Sequence, residues 1–430
     1  MKGNNFQLIL LIIFIVGAVF GILVFAGLVP FGQPAKTGPV GTVVLWGTVK
    51  QSSLGRALAD FGHISTNVNL KYVEKNPLTF DHDLLEALAS GVGPDLFILP
   101  DDLILHYKDK IALIPYASYS EATFKNTFAG AGEIYLSSKG ILALPLSVDP
   151  LIMYYNRTVL DANNITNPPA YWDDLQNIVP LVTKKDISGK IINSGVALGQ
   201  FTNIEHAKDI ISTLFMQAGS TIVQEKGGFL NSTLSALSNS ANPGTILSFY
   251  TQFADPLSPF YSWNRSLPNS KDSFSANNLT FYFGFASELP YLTNKNPNLN
   301  FYITSIPQIK NSSLKVTFGK TQGIAVSTFS KNKASAFSVA GLLASGDFAK
   351  QFSDSLLVAP ARRDLLAVKP TDAYFPIFYS SALYAKSWLD PSAVDTDSIF
   401  SGMVDNVLSN TLPAKEAVLD ASAKLDLLLH

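Results

Sequence analysis

The chain has 430 residues, of which 47% are hydrophobic and 15% are charged, and its formal net charge is −2. This length exceeds what one core usually holds, and the apolar content excludes disorder as the main state, so we expect two folded domains. The near-neutral charge argues against nucleic-acid binding, and the lack of cysteine excludes disulfide scaffolds, thiolate zinc sites, cysteine nucleophiles and a lipid anchor on cysteine.

The N-terminal segment contains a long apolar run. Residues 8–29 carry no charge, and a run of about 20 apolar residues spans a bilayer as a helix. Lys2 precedes the run, which favours a cytoplasmic N-terminus and an exported remainder. We therefore expect residues 1–30 to be a transmembrane anchor, with a signal peptide cleaved after Ala26 as the alternative. Proline and glycine in residues 31–41 indicate a short linker.

Strands and helices alternate in the first part of the remaining chain. Apolar runs at 42–46 and 95–99 and an alternating segment at 68–73 predict strands, and helical patterns lie between them. This alternation predicts parallel strands and an α/β fold. Ligands of open α/β sheets bind beyond the carboxyl ends of strands, which directs attention to Trp46 and Thr48.

A nearly continuous apolar stretch covers residues 141–156 and contains one acid, Asp149. Proline on both sides of this acid disfavours a long helix, so we expect an extended crossover. An acid inside an apolar run needs a partner, because unpaired burial of a charge is costly. Further helices are predicted at 205–218, 334–344 and 414–429.

Several short motifs then follow one another along the chain. They occupy residues 93–97, 144–149, 154–157, 171–175, 281–286, 323–327, 330–334 and 359–362. This series resembles the extracellular solute-binding proteins of ABC-type importers, in the sugar-binding group that includes maltose-binding protein. The resemblance covers about residues 42–430. It implies a periplasmic-binding-protein-like fold, in which two α/β lobes enclose a ligand in a central cleft. The lobes would close by a hinge motion, and a permease would recognise the closed form.

The resemblance also implies the course of the chain through the lobes. Residues 42–149 and 325–370 would form lobe one, and residues 150–324 and 371–430 would form lobe two. Family members commonly carry a lipidated cysteine, and here the apolar helix at 8–29 would take over the anchoring. The expected protein is a monomer with an extracytoplasmic soluble part, a single-pass membrane anchor and ABC-type permease subunits as partners.

A carbohydrate site needs polar side chains for the hydroxyl groups and aromatic rings for the flat C–H faces. The candidate ligand-binding residues are Trp46, Thr48, Asp101, Asp149, Asn203, Glu205, Phe285, Ser287, Glu288, Gln322 and Tyr379. The resemblance implies ligand contacts at Asp101 and Asp149. Ser287 stands at the position where the family has an aromatic stacking residue, so here the ring is either Phe285 or missing. Trp46 could equally be a core ring, and Asp101 could cap a helix. Trp388 is a weaker candidate, because it could end a helix packed on the surface.

Other chemistry has little support in the sequence. The five histidines form no His-x-x-x-His pair, so we expect no metal or cofactor. Asp101, Asp149, Glu205 and Glu288 leave open a membrane-anchored glycoside hydrolase, which would need a carboxylate pair in the cleft. The order of the motifs favours a binding protein without enzymatic activity, with a mono- or oligosaccharide as its small-molecule ligand.

Overall fold

The computed structural model describes residues 41–64, 68–236 and 242–430. The anchor predicted for residues 1–30 lies outside these ranges. So does the predicted linker, except for Gly41, which begins the first strand. Across the described ranges, no helix combines the length and the apolar character that crossing a bilayer requires.

The fold contains fifteen strands within the described ranges. In chain order they are β1 (Gly41–Gly47), β2 (Val68–Glu74), β3 (Leu96–Pro100), β4 (Leu136–Ser137), β5 (Gly140–Ile141), β6 (Ala143–Asn156), β7 (Lys184–Lys185), β8 (Ile191–Val196), β9 (Val223–Lys226), β10 (Phe229–Ser232), β11 (Leu279–Phe285), β12 (Phe301–Ser305), β13 (Thr317–Val326), β14 (Ala359–Pro360) and β15 (Ala385–Lys386).

Helices cover the sheet and complete the α/β architecture. Those in the described ranges are α1 (Gln51–Ile64), α2 (Phe80–Ala89), α3 (Ile104–Tyr107), α4 (Glu121–Thr127), α5 (Arg157–Ala162), α6 (Trp172–Val182), α7 (Ala207–Gln217), α8 (Pro243–Thr251), α9 (Ser270–Ser275), α10 (Leu289–Lys295), α11 (Lys333–Leu343), α12 (Gly346–Leu356), α13 (Arg363–Leu366), α14 (Phe375–Leu383), α15 (Ala393–Leu408) and α16 (Ala414–Leu429).

Two long strands, β6 and β13, join two groups of strands. The first group is β1, β2 and β3, and the second is β7, β8, β11 and β12. The main sheet has the order β2-β1-β3-β13-β6-β11-β8-β7, with β12 and β14 also paired to β6. The first part of β6 pairs with β13 and β14, and from Leu151 onward it pairs with β11 and β12. The long apolar stretch predicted as an extended crossover is therefore one strand that runs from one group to the other.

Side-chain periodicity explains how these elements pack. In β1, Val43 and Leu45 are fully buried while their neighbours are partly exposed, as expected for a strand with one face in the core. Helix α1 packs on the neighbouring strand β2, and its Leu54, Ala57 and Phe61 recur at helical spacing and are buried. Strand β3 is buried on both faces, which explains its continuous apolar sequence.

The strands predicted at 42–46, 68–73 and 95–99 and the helices predicted at 334–344 and 414–429 are confirmed within one residue. One boundary was wrong. Helix α7 begins at Ala207, so Glu205 lies in the turn before it and does not begin the helix. His206 adopts a left-handed conformation with φ 60°, which prevents the helix from starting earlier.

Candidate functional site

A large open cleft lies where the two groups of strands meet. Its volume is about 1230 Å³, larger than most small-molecule pockets. Its floor is formed by β6 and β13, and one wall follows the carboxyl end of β3 at Pro100. The opposite wall comes from the segment 201–209 before and within α7, and α15 lines a third side. The cleft therefore receives side chains from both strand groups.

The strand register fixes the side chains on the floor. Lys320 of β13 stands opposite Asp149 of β6, and Gln322 stands opposite Ser147. Alternate residues of a strand share a face, so Lys320 and Gln322 lie on the same side of the sheet, and directly opposite side chains are close neighbours. All four residues line the cleft. A cation, an amide, a carboxylate and a hydroxyl thus form a small polar platform.

Asp149 is held in place by the second strand group. Its Oδ1 accepts a hydrogen bond of 3.1 Å from the backbone N–H of Ser287, which follows β11. Burial raises the pKa of Asp149 to about 6, against the effect of this hydrogen bond and of the nearby Lys320. The carboxylate is therefore ionised at neutral pH and acts as an acceptor at the bottom of the cleft.

Two further acids stand on the first wall. Asp101 and Asp102 begin a short 3₁₀ turn directly after β3. Asp101 is buried, with 9% of its surface exposed, and its Oδ2 accepts a hydrogen bond of 3.0 Å from Ser387 Oγ. Burial and the neighbouring Asp102 raise the pKa of Asp101 to about 7. Burial also raises the pKa of Asp102, whose side chain is exposed to the cleft.

Lys320 is the cation at the centre of these acids. Burial acts to lower its pKa, but the carboxylates of Asp209, Asp101 and Asp149 outweigh burial and raise it. In the described part of the chain its ammonium group forms no ion pair within 4.0 Å, and its Nζ lies 4.2 Å from the centre of the Phe285 ring. Lys320 is therefore a charged donor whose hydrogen bonds remain available to a ligand.

The second wall carries a buried network of charges around His206. His206 Nε2 lies 2.6 Å from Glu288 Oε1, and its Nδ1 lies 3.6 Å from Asp209. Lys271 Nζ lies 3.1 Å from Glu288 Oε1, and the Tyr282 hydroxyl donates to Glu288 Oε2 at 2.6 Å. Burial lowers the pKa of His206, but the hydrogen bonds to Asp209 and Glu288 outweigh it and raise the pKa to about 9. The imidazole is therefore charged.

This network also contains the ligand atoms for a possible metal ion. One atom each of Glu205, His206 and Glu288 lies within 4.8 Å of the others. However, both oxygens of Glu288 are already engaged by His206, Lys271 and Tyr282. The positive charges of His206 and Lys271 occupy the place where a cation would bind, so the donor set does not fit a metal. The network instead fixes the wall on which Glu205 stands.

The third side of the cleft is built on α15 and the segment before it. Lys208 forms ion pairs with Asp390 at 2.9 Å and with Asp397 at 2.8 Å. Trp388 lines the cleft with 5% of its surface exposed, and its indole N–H donates to Ser212 Oγ at 3.2 Å. Its ring stacks on Phe400, so most of its area belongs to the core.

The structure brings five of the predicted residues together in the cleft lining. They are Asp101, Asp149, Glu205, Ser287 and Gln322. The Oε1 atom of Gln322 is buried and has no hydrogen-bond partner in the described part of the chain. A buried acceptor without a partner is rare in native proteins, which makes Gln322 a candidate for a ligand contact.

Three predicted residues lie away from the cleft. Trp46 and Thr48 follow β1, which is separated from the crossing strands by β3, and the ring of Trp46 is covered by Lys75 Nζ at 3.6 Å. Tyr379 is buried on α14, edge-on to Phe375. Strand order and helix packing, neither visible in the local sequence, put these aromatic and polar groups outside the lining.

Three other predicted residues stand behind the lining. Asn203 uses its amide inside the protein, donating to the carbonyls of Asn264 and Leu267 at 2.9 Å each. Phe285 is buried beneath Lys320, and Glu288 is buried in the network around His206. These side chains hold residues that line the cleft.

Sequence reasoning missed the central cation. Lys320 precedes Gln322 by two residues on one strand, so the period of two would have placed it on the same face as the predicted glutamine. Asp209 and Lys208 carried no comparable signal, because they resemble ordinary first-turn residues of a helix. Their place in the wall depends on where α7 docks.

Comparisons with known proteins agree with this architecture. The profile of the bacterial extracellular solute-binding protein family matches residues 66–350. A provisionally named binding protein of Brucella abortus (strain 2308) is 23% identical over 362 residues, which cover 80% of this chain and 82% of that protein. The maltotriose-binding protein of Pyrococcus abyssi is 27% identical over 151 residues, or 34% of this chain and 32% of that protein.

Solved structures share the fold at low sequence identity. A cyclo/maltodextrin-binding protein in complex with maltotetraose superposes with a TM-score of 0.72 and 16% identity, covering 91% of this chain and 98% of that protein. The chain therefore has the periplasmic-binding-protein-like α/β fold. The glycoside hydrolase alternative is not supported, because these relatives are binding proteins and their family is non-enzymatic. The resemblance found in the sequence is confirmed, and the chain belongs to the bacterial extracellular solute-binding protein family.

Proposed function

We propose that this protein captures a carbohydrate in the cleft and delivers it to an ABC-type permease. The observation that carries the proposal is the polar platform on the floor, where Lys320 offers a charged donor and Gln322 a buried acceptor that the described protein leaves without a partner. Asp149 adds a charged acceptor opposite Lys320. Sugar hydroxyl groups both donate and accept hydrogen bonds, so one ligand satisfies all three groups.

The ligand contacts in this proposal are Asp101, Asp149, Glu205, Ser287 and Gln322, together with Lys320 and the exposed edge of Trp388. Phe285, Glu288 and Asn203 act through these residues. The named ligands of maltotriose- and maltodextrin-binding relatives support a carbohydrate over a peptide or a metal chelate. A cleft of this volume accommodates an oligosaccharide as well as a single sugar.

Two lobes would close around the ligand, with residues 42–149 and 325–370 in lobe one and residues 150–324 and 371–430 in lobe two. The change of partners along β6 near Leu151 supports a hinge at this position. A ligand shifts the population toward the closed form only as far as it binds that form better. The closed pair of lobes would then dock on the permease.

The uncharged run at residues 8–29 supports anchoring of this protein to the outer face of the cytoplasmic membrane, and the family supports an extracytoplasmic location of the folded part. Membrane fractionation of cells producing the full chain tests the anchor. We expect the protein in the membrane pellet, released by detergent but not by high salt. Recovery of a shorter soluble chain outside the cell would contradict an uncleaved anchor.

The function is tested by thermal denaturation with a panel of mono- and oligosaccharides. A cognate sugar is expected to raise the melting temperature, because a ligand at 100 times its Kd stabilises the folded state by about 2.7 kcal/mol. The sugar is expected to be recovered unchanged after incubation. If no sugar in a wide panel shifts the transition, the carbohydrate assignment is wrong. Hydrolysis of the bound sugar would contradict a binding function.

A further inference from the structure

The cleft lining carries far more negative than positive charge. Eight of its side chains are carboxylates, and three are basic: His206, Lys208 and Lys320. Hydrogen bonding to neutral hydroxyl groups does not require such an excess, because amides and hydroxyls serve equally well as acceptors. The excess therefore bears on the charge of the ligand.

Most of the acids outside the floor have partners within the protein. Lys208 serves Asp390 and Asp397, and Arg265 forms an ion pair with Asp405. The imidazolium of His206 lies beside Asp209 on the second wall. The negative charges of these carboxylates are balanced by neighbouring cations, and the ion pairs hold α15 and α7 in position.

Asp101, Asp102 and Asp149 differ from this group. In the described part of the chain, none of the three has an ion-pair partner within 4.0 Å. Lys320 is the cation that faces them, and its single charge is also drawn toward Asp209. The floor and first wall therefore carry more negative than positive charge. Burial makes this arrangement costly in the unliganded protein, which is why the pKa of Asp101 and that of Asp149 are raised.

The cleft lining exposes little aromatic surface to a ligand. Its aromatic members are Phe201, Phe318 and Trp388, and the last two are only 6% and 5% exposed. Stacking of sugar C–H faces on rings is therefore restricted to Phe201 and the edge of Trp388. Recognition in this cleft depends on charge and hydrogen bonds more than on stacking.

We propose that the cleft takes a carbohydrate that carries a basic nitrogen, whose ammonium group pairs with Asp101, Asp102 and Asp149 while its hydroxyl groups bind Lys320 and Gln322. This inference rests on the proposed carbohydrate function and specifies the class of sugar. The ammonium group supplies the positive charge that the floor lacks. An uncharged sugar of the same shape leaves the excess negative charge buried beneath it when the lobes close, which costs affinity.

Isothermal titration near pH 7 with matched ligand sets tests this inference. Each set contains the amino, N-acetylamino and hydroxyl forms of the same mono- or disaccharide, in gluco, galacto and manno configurations. In the configuration that binds, the amino form is expected to bind at least about 10-fold more tightly than its two neutral counterparts. This advantage is expected to shrink only modestly in 0.5 M salt, because an ion pair enclosed between closed lobes is screened less than an exposed one.

Asp102→Asn is the diagnostic variant, because Asp102 is exposed to the cleft and asparagine has the same shape without the charge. It is expected to reduce the ratio of amino to hydroxyl affinity, whereas the matched control Asp347→Asn, an exposed acid on α12, keeps the ratio. Equal or tighter binding of the neutral forms would overturn the inference and leave the carbohydrate function standing. Equally tight binding of spermidine would overturn it in favour of a polyamine. A lack of binding by every sugar would overturn both proposals.

Discussion

Asp149→Asn is expected to weaken binding of the cognate carbohydrate by about 100-fold, or about 2.7 kcal/mol. Asp149 is the charged acceptor on the floor, opposite Lys320 on the neighbouring strand. A hydrogen bond to a charged group contributes about 1.5–3 kcal/mol, and asparagine removes the charge while keeping the shape. Its amide oxygen still accepts from the Ser287 N–H, so the connection between β6 and the turn after β11 is retained.

Isothermal titration of the purified variants measures this effect. Asp109→Asn is the matched control, because Asp109 is an exposed aspartate outside the cleft lining. We expect the control to bind as the unmodified protein does. The melting temperature without ligand should not fall in Asp149→Asn, since burial of this carboxylate is unfavourable in the folded state. An affinity within about threefold of the unmodified protein would remove Asp149 from the binding site.

Asp101→Asn is expected to stabilise the unliganded protein at pH 8 by about 2–4 kcal/mol and to have no effect at pH 4. The pKa of Asp101 is raised from 3.8 to about 7 in the folded protein by burial and by Asp102. Between these two values the folded state binds more protons than the unfolded state. The free energy of unfolding therefore falls as the pH rises through this window, and the loss is nearly complete by about pH 8. Asparagine carries no charge and avoids the loss.

Urea denaturation at pH 4 and pH 8 measures the difference. The amide oxygen of asparagine can still accept from Ser387 Oγ, so the local hydrogen bond is retained. Asp109→Asn again serves as the control and should show the same stability as the unmodified protein at both pH values. A variant that is equally stable or less stable than the unmodified protein at pH 8 would show that Asp101 is well compensated when ionised.

Together these two variants test whether the acids of the cleft lower the stability of the folded protein while they favour ligand binding. Asp101 and Asp149 destabilise the empty protein when ionised, and a ligand that donates hydrogen bonds or positive charge reverses this penalty. In the proposed closing motion, the gain in free energy on closure is larger with ligand than without it. Ligand binding and stability are therefore expected to change in opposite directions in these variants.

Much of the architecture follows from patterns within short stretches of sequence. The apolar run 42–46 and the alternation at 68–73 predict strands because buried and exposed faces repeat every two residues. The prolines around Asp149 predict an extended crossover, and β6 is that crossover. The motif series identifies the family, because each motif lies in a fixed place in the fold. Asp149 and Gln322 were found in this way.

The composition of the site could not be read from such patterns. Lys320 meets Asp149 through a strand pairing that joins positions far apart in sequence, and local periodicity contains no information about register between distant strands. Trp46 lies near the carboxyl end of a predicted strand, where cleft residues are expected, yet β3 lies between its strand and the cleft. Glu288 was a candidate ligand contact and is instead buried between His206 and Lys271.

The sequence by itself therefore determined the α/β class, the crossing strand and the family, because these depend on the spacing of apolar side chains and on local turns. Tertiary structure alone decided which of the acids converge on Lys320 and which aromatic rings reach the cleft. Convergence depends on strand order, on register and on the docking of α7 and α15, which are set by packing of the whole core. The charge of the cleft arises at that level.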